Sequence, residues 1–384
     1  VALAAGSVAP EELLDRIDLE RQAVQRSGEI VSPVEAHRIA DKVQRWFDAA
    51  PSEWASRPDL LSSAAELYTD LGPGFFDRAC DLFGRAIAAA DRDGKVPIRA
   101  IERLGNVESR LGEDRDDAKL VSRGITRLAD LVRLTGGKVP GDAGAAPGEM
   151  GSGERLALLG SAWKRKAGVH ARAYLRDGKA AEFAHMREAI AHSQACYQVM
   201  ASALGAAQLK PYQTLNWLFL WSLTANAEQR HAYLPHALRC AAAANAAFAE
   251  DPAGYNASMV ADAQLISALL DDSLDAPARG SDAAVERLAA GYEDALQTAR
   301  VTPKERDTVI RQIRFMALFH RAYEKHRHHQ GPDSVGARLD RLADRLEGAV
   351  GQTRTAPAGS TPRRSRRSTT AKRDATRRSK STSS

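Results

Sequence analysis

Two stretches of this sequence have small residues at the positions where closely packed helices need them. Ala79, Phe83 and Ala86 place a small, a large and a small side chain on one helical stripe, at i, i+4 and i+7. Further along, Gly105 and Gly112 lie in a second helical pattern, where the missing side chain lets a neighbouring helix approach closely. This spacing predicts antiparallel helix pairs that stack against one another.

The combination resembles the tetratricopeptide repeat, a helix–turn–helix unit. That resemblance implies an all-α, tetratricopeptide-like solenoid of stacked antiparallel helix pairs, with a concave face left for partners. The composition agrees, because aromatic residues make up only 6% of the chain and no alternating β-branched run is long enough for a sheet. Fourteen helical stretches are predicted between Pro10 and Val350, mostly joined by short turns.

Changes in composition divide the chain into four segments. Residues 1–134 are predicted to form an N-terminal helical-repeat lobe, and residues 135–153, rich in Gly and Pro, a linker or long surface loop. Residues 154–351 are predicted to form a second helical-repeat lobe. Residues 352–384 contain ten Lys or Arg and one acid and are predicted to be disordered. Because positions 1–351 hold 44 basic and 48 acidic residues, this tail alone makes the chain basic.

The second lobe has a more specific resemblance. Residues 154–167 fit an opening helix, and Tyr212 precedes an Asn-Trp-Leu run at residues 216–218. These stretches resemble a bacterial form of the TRAF-binding region of the apoptosis-signal-regulating kinases, over residues 154–325. The resemblance implies an adaptor region, of the kind that lies beside caspase-like, nuclease or other effector domains. We therefore expect an effector domain upstream or in a separate chain.

Five residues are predicted to bind a partner in the concave groove. Arg99, Arg103 and Asn106 share one helical face, and in tetratricopeptide scaffolds such residues grip carboxylates and backbone amides of extended peptides. A solvated polar face would give the same pattern. Lys164 belongs to a basic run in the opening helix of the second lobe, where a basic helix flank is the alternative. Asn216 is a polar amide in an apolar helix, which either faces the groove or caps a neighbouring turn.

The tail is a second candidate site, for polyanions. Its basic clusters would neutralise phosphates by counterion release, and it lacks the aromatic residues that stack on bases, so any binding is expected to be independent of sequence. A tail that only aids solubility is the alternative. The predicted polyanion-binding residues are Arg363, Arg364, Arg366, Arg367, Arg377, Arg378 and Lys380.

The sequence contains no recognisable catalytic or cofactor motif. It lacks a Gly-rich phosphate loop, a His-Glu-x-x-His pattern and a nucleophile elbow, so neither enzymatic activity nor a cofactor is expected. Cys80, Cys196 and Cys240 lie far apart in apolar helical patterns, which favours buried free thiols in a reducing cytoplasm. The His-rich cluster at His320 and residues 326–329 is interpreted as a solvated helix end, and no metal site is expected.

The predicted function is a non-catalytic protein–protein interaction scaffold, an adaptor or regulatory module of a bacterial signalling or defence system. Its partner is predicted to be a protein or peptide held in the groove. No apolar run approaches the roughly 18 residues that span a bilayer, so no membrane partner is expected. The alternative is a nucleic-acid-associated protein whose basic tail binds phosphates without regard to sequence.

Overall fold

The computed structural model describes residues 9–143, 149–202, 210–251, 254–275, 278–299, 301–329 and 331–355. Over these residues the regular structure is helical apart from one isolated β-bridge, so the all-α prediction is confirmed. Six α-helices precede the Gly- and Pro-rich segment: α1 (Pro10–Ser27), α2 (Pro33–Ala49), α3 (Pro58–Leu71), α4 (Phe76–Arg92), α5 (Ile98–Asp114) and α6 (Ala118–Leu134). Eight follow it: α7 (Gly153–Asp177), α8 (Ala180–Ser202), α9 (Pro211–Ser222), α10 (Ala227–Glu250), α11 (Gly254–Leu270), α12 (Ala278–Thr298), α13 (Pro303–His326) and α14 (Val335–Thr355).

Side-chain caps fix several of the helix ends. Ser32 precedes Pro33, the first residue of α2, and its hydroxyl accepts a hydrogen bond from the backbone N–H of Glu35 at 3.2 Å. At the start of α13, Thr302 and Glu305 form a reciprocal capping box. Such caps satisfy amide groups that have no partner inside the helix, which is why the sequence places these helix starts correctly.

The C-terminal helix is longer than predicted. The predicted end of α14 was Val350, but the helix continues to Thr355, which includes the first residues of the basic segment 352–384. Residues 356–384 lie outside the described residues, and so do all seven of the tail arginines and lysines predicted to bind polyanions.

The Gly- and Pro-rich segment between α6 and α7 folds back on itself. The backbone N–H of Lys138 donates to the carbonyl of Glu149 at 2.9 Å, and that of Gly151 donates to the carbonyl of Lys138 at 3.1 Å. Val139 is buried among residues of α6, α7 and α8. Residues 144–148 lie outside the described part. The two flanks of the segment thus meet at the junction of α6 and α7, and the division into two lobes stays a prediction.

Glycines let α5 and α6 approach each other as the sequence predicts. A methyl group on Gly112 would lie 2.6 Å from the backbone nitrogen of Val121. One on Gly124 would lie 2.5 Å from the carbonyl oxygen of Gly105 and 2.9 Å from the backbone nitrogen of Ser109. Since real side chains do not approach backbone atoms this closely, only glycine fits at these two positions. The backbones of the two antiparallel helices are therefore in direct contact.

Helices α1 and α3 run parallel to each other, and so do α5, α7 and α13. Lys164 on α7 donates to Gln312 on α13 at 3.3 Å, and Lys325 near the end of α13 donates to the carbonyl of Leu175 near the end of α7 at 2.7 Å. Contacts follow the same order in α1 and α3 (Glu11 with Arg57, Arg21 with Asp70) and in α5 and α7 (Glu102 with Arg155, Glu113 with Arg165). These helices line the cavities that are candidate binding sites.

Helices that are distant in sequence contact one another, which does not happen in a linear stack of repeats. In a simple solenoid each repeat contacts only its neighbours in sequence. Here α13 packs on α7, and the N–H of Lys304 donates to the carbonyl of Gly28, which joins the start of α13 to the end of α1 at 3.2 Å. One apolar core lies within α1–α5 and a larger one within α7–α14. None of the described helices has an apolar stretch long enough to cross a membrane.

Candidate functional site

Arg99 and Arg103, two of the α5 residues predicted to bind a partner, form ion pairs within the chain. The guanidinium of Arg99 donates to both carboxylate oxygens of Glu66 on α3, at 2.8 and 2.9 Å. Arg103 Nε lies 3.8 Å from the same carboxylate, and Arg21 of α1 also contacts it. Glu66 is buried, so these cations compensate a charge that would otherwise be costly. Arg99 and Arg103 therefore hold α1, α3 and α5 together around one acid.

A cavity of about 720 Å³ opens beside this network. Its charged lining residues all have partners within the chain. Arg21 and Arg99 pair with acids, Asp18 accepts from Ser63, and Asp59 pairs with Arg57. Among its described lining residues the cavity therefore has no unpaired cation, and Asp18, whose partner is a neutral hydroxyl group, keeps its negative charge.

Asn106, the third residue of the stripe, contacts α7. Its side-chain oxygen accepts a hydrogen bond from Arg165 Nη1 at 3.4 Å, and Ser109 Oγ accepts from the same atom at 3.3 Å. Arg165 Nε also lies 3.4 Å from a carboxylate oxygen of Glu113. Asn106 thus positions Arg165, which lines a second and more basic groove.

Two residues predicted separately, Lys164 and Asn216, contact each other directly. Lys164 Nζ donates to Asn216 Oδ1 at 2.8 Å and to Gln312 Oε1 at 3.3 Å. Asn216 in turn donates from Nδ2 to the carbonyl of Tyr212 at 2.9 Å. Lys164 is only 8% exposed, and burial lowers the pKa of its ammonium group. The contact links α7, α9 and α13 through one buried cation.

The second groove has a volume of about 630 Å³ and lies between the start of α4, the end of α5, α7 and α13. Its lining holds seven basic and two acidic residues: Arg110, Lys164, Arg165, Arg172, Arg311, Arg314 and Arg321, with Glu113 and Asp114. Five of the arginines pair with an acid: Arg165 with Glu113, Arg172 with Asp116, Arg311 with Asp307, Arg314 with Asp344 and Arg321 with Asp340. Within the described chain, Arg110 and Lys164 are the cations of this lining that have no acid partner.

Arg110 is the least compensated cation of this groove. It is half-buried, its guanidinium lies 4.5 Å from the centre of the Phe76 ring, and within the described residues it has neither a hydrogen bond nor an ion pair. Burial, with the positive charges of Arg165 and Arg311, lowers the pKa of Arg110 to about 10, against the attraction of Asp114 one turn later. A cation in this situation is stabilised by an anionic ligand.

A smaller cavity of about 200 Å³ adjoins the groove and shares Tyr212, Thr308 and Gln312 with it. Most of its lining is apolar. Asp262 also lines it, and burial raises the pKa of that carboxyl group to about 6, although Tyr292 donates a hydrogen bond to it at 2.6 Å. This cavity extends the groove towards the core between α9, α11 and α13.

The sequence predicts that the histidine cluster at the end of α13 is solvated, but only part of it is. His320 Nε2 is inaccessible and has no hydrogen-bond partner among the described residues. Burial and the positive charges of Arg230 and Arg327 lower the pKa of His320 to about 3. His326 stacks on the ring of Phe183, with ring centres 3.9 Å apart. The interpretation as a solvated helix end is therefore wrong for His320, because packing of α13 against α9 buries that face.

Among the residues that the structure describes, one group of side chains is close enough together to hold a metal ion. Ligand atoms of His170, Glu182 and His185 lie within 4.8 Å of one another where α7 meets α8. His170 Nδ1 and a carboxylate oxygen of Glu182 are already hydrogen-bonded at 2.7 Å. Two imidazoles and a carboxylate are ligands that zinc accepts, but a hydrogen-bonded His–Glu pair on adjacent helices accounts for the same contacts.

Asn216→Ala is expected to lower the free energy of unfolding by about 2 kcal/mol, because it removes the nearest acceptor of a buried ammonium group. Asn245→Ala is a matched control, since Asn245 also donates to the carbonyl four residues earlier, at 2.9 Å, but is exposed. Its effect should stay within about 0.5 kcal/mol. Urea denaturation of both variants checks this, and equal losses would contradict a special role for the Lys164 contact.

The sequence contains a signal for Arg110 that the predicted stripe did not use. Arg110 lies four residues after Asn106, so the face that carries Arg99, Arg103 and Asn106 continues to it for one more turn. By contrast, Gln312 and Arg311 join the groove only because α13 packs beside α7, and no pattern along the chain indicates that pairing.

In comparisons with known proteins, no family model and no curated protein matches this sequence. The resemblance to tetratricopeptide repeats and to the TRAF-binding region thus has no support from such a match, and it stays a prediction. The parallel direction of α5, α7 and α13 is established by the structure alone.

Proposed function

We propose that this chain is a non-catalytic interaction scaffold that docks an acidic segment of a partner protein in the groove between α5, α7 and α13. The observation that carries this function is Arg110, a half-buried guanidinium without an ion pair in the described chain, among other cations. An acidic side chain of a partner would supply the missing counter-charge, and Arg forms bidentate hydrogen bonds with carboxylates.

The surroundings of Arg110 support docking of an extended segment. The groove has room for several residues, at about 630 Å³, and its walls are rigid helices. Interfaces are enriched in arginine and aromatic side chains, and here Arg110 lies over Phe76 while Lys164 Nζ lies 5.4 Å from the centre of the Phe315 ring. Charge complementarity would then select acidic partners and speed their association.

We further propose a place for the scaffold in a bacterial signalling or defence system in the cytoplasm. The resemblance of residues 154–325 to an adaptor region supports the role in signalling or defence. An effector domain, upstream or in a separate chain, would be the partner of such an adaptor. The cytoplasmic location is supported by the free thiols of Cys80, Cys196 and Cys240, because free thiols persist in reducing compartments. Burial raises the pKa of Cys196 to about 12, which keeps that thiol unreactive.

Affinity capture from lysate tests the docking function with the full chain and two charge reversals. We expect wild type and Arg287→Glu to retain one discrete protein, and Arg110→Glu to lose at least about tenfold of it, since a buried charge reversal costs several kcal/mol. Arg287 is exposed on α12, outside the residues that line the groove, and serves as the control. Equal capture by Arg110→Glu would contradict the proposal.

The same experiment with nuclease tests the alternative function. Replacing Arg363, Arg364, Arg366 and Arg367 by Gln in the full chain removes the first basic cluster of the tail. If retention needs both intact nucleic acid and these arginines, the chain is a nucleic-acid-associated protein and the groove is not its functional element. The docking function predicts that capture is insensitive to both changes.

A further inference from the structure

We infer that the groove around Arg110 binds a phosphate monoester carried by the partner segment, such as a phosphoserine or phosphothreonine side chain. This inference rests on the proposed docking function and makes it more specific. It follows from the types of polar group that converge in the groove, from their charge and from the rings that surround them.

Most of the charged groups that line the groove are hydrogen-bond donors. Arg110, Arg165 and Arg311 line it together with Lys164 and the hydroxyl groups of Ser161 and Tyr212. The positive charges of Arg165 and Arg311 disfavour the protonated form of Arg110. Lys164 and Arg165 already donate to acceptors of the chain, whereas Arg110 has no acceptor among the described residues. Because a guanidinium group only donates hydrogen bonds, the ligand has to supply the acceptor for Arg110.

The acids of the groove compensate only part of this positive charge. Glu113 pairs with Arg165 at 3.4 Å and its backbone carbonyl accepts a hydrogen bond from Arg172 at 2.8 Å. Asp114 lies in a site where burial raises its carboxyl pKa, so its charge is less favourable than on the open surface. Acids outside the lining also pair with its arginines, Asp116 with Arg172 and Asp307 with Arg311, so a ligand must compete with several carboxylates. This competition favours a dianion over a single carboxylate.

A phosphate monoester meets both requirements. It carries nearly two negative charges at neutral pH and three terminal oxygens that accept hydrogen bonds, whereas a carboxylate has one charge and two oxygens. Planar guanidinium groups bind such oxygens bidentately, and clusters of arginine are a recurring solution for recognising phosphorylated segments. The volume of about 630 Å³ leaves room for the flanking backbone.

The rings of the groove favour a phosphorylated protein over a nucleic acid. Binding of single strands depends on aromatic faces that stack on bases. In this groove the Phe76 ring is covered by Arg110, and the Phe315 ring packs edge-on against Phe319, with centres 4.7 Å apart, next to Lys164. Tyr212, which also lines the groove, packs edge-on against Tyr197, with ring centres 6.4 Å apart. The described aromatic rings of the lining thus all have ring or cation contacts within the chain.

Three fluorescein-labelled nonapeptides of alternating Gly and Ala test the inference, with Ser, Glu or phosphoserine at the centre. Fluorescence anisotropy with the full chain should show the phosphoserine peptide binding at least about tenfold more tightly than the Glu peptide, a difference of about 1.4 kcal/mol. Inorganic phosphate should displace it. Arg110→Gln should abolish the preference, whereas Arg287→Gln, an exposed control outside the groove lining, should retain it.

A second variant distinguishes loss of binding from misfolding of Arg110→Gln. Arg311 has a largely exposed side chain, so Arg311→Gln should leave the thermal midpoint unchanged and still weaken phosphoserine binding several-fold.

Equal affinity for the Glu and phosphoserine peptides overturns the inference but leaves acidic docking intact if both depend on Arg110. Binding that is independent of Arg110 overturns both proposals. Absence of phosphoserine binding at millimolar concentration, or tighter Arg110-dependent binding of a single-stranded oligonucleotide, overturns the phosphopeptide assignment.

Discussion

Gly112→Ala should lower the free energy of unfolding by about 1–3 kcal/mol, although alanine is the better helix former. The added methyl group would lie 2.6 Å from the backbone nitrogen of Val121 and 2.9 Å from the carbonyl oxygen of Asp117. Backbone atoms cannot move aside as the end of a long side chain can, so α5 and α6 would have to separate. That separation would loosen the packing that places Arg110 beside α7. Urea denaturation followed by tryptophan fluorescence measures the loss.

Gly84→Ala provides the control for this prediction. Gly84 also lies inside a helix, α4, but a methyl group there would meet no atom within 4 Å. It should therefore stabilise the chain by about 0.5–1 kcal/mol, because alanine loses less backbone entropy on folding. A destabilisation of similar size in both variants would show that the contact between α5 and α6 is not what makes Gly112 sensitive to substitution.

Acidification should destabilise the protein by about 3 kcal/mol between pH 7 and pH 4 through His320 alone. The pKa of this imidazole is about 3 in the folded chain, below the ordinary value of 6.5 that it regains on unfolding. As the pH falls through this window, the unfolded chain takes up a proton that the folded chain does not. The stability that the neutral imidazole contributes is thus complete above about pH 6.5 and is lost progressively towards pH 3.

His320→Gln should flatten this part of the pH profile, because glutamine does not titrate. His328→Asn is the matched control: His328 is exposed and has a positive φ of 58°, a conformation that asparagine tolerates. Its profile should match that of the wild type. Thermal midpoints between pH 4 and pH 7 check both, and an unchanged slope in His320→Gln would show that another group causes the acid sensitivity.

Local features of the sequence were sufficient to predict most of the helices. The Ser32-Pro33 start of α2 is recognisable from the chain because a cap needs only neighbouring residues, and its hydrogen bond is present. The glycines of α5 were informative for a similar reason, since only glycine permits contact between helix backbones. The end of α14 is predicted one helical turn too early, at Val350. Gly351 follows it directly, but a glycine only favours a helix end, and the helix continues through it to Thr355.

The candidate site was only partly predictable. Residues on a single helix face, such as Asn106 and the Arg110 that follows it, could be found from helical periodicity. The partner of Lys164 could not, since Asn216 lies 52 residues and Gln312 148 residues further along the chain. Likewise, the sequence predicts a solvated helix end that includes His320, because nothing nearby along the chain indicates that its ring lies 6.2 Å from that of Phe219.

Contacts within one or two turns specify where helices begin, which faces are apolar and where two helices touch through glycine, so these features can be recognised along the chain. The packing of α13 beside α7, and the contact of its start with the end of α1, cannot, since they join distant segments. That packing gathers cations from distant segments into one groove, buries Lys164 and leaves Arg110 without an ion pair in the described chain. Charge and burial depend on which surfaces meet, and the chain specifies that only through the sum of all its packing interactions.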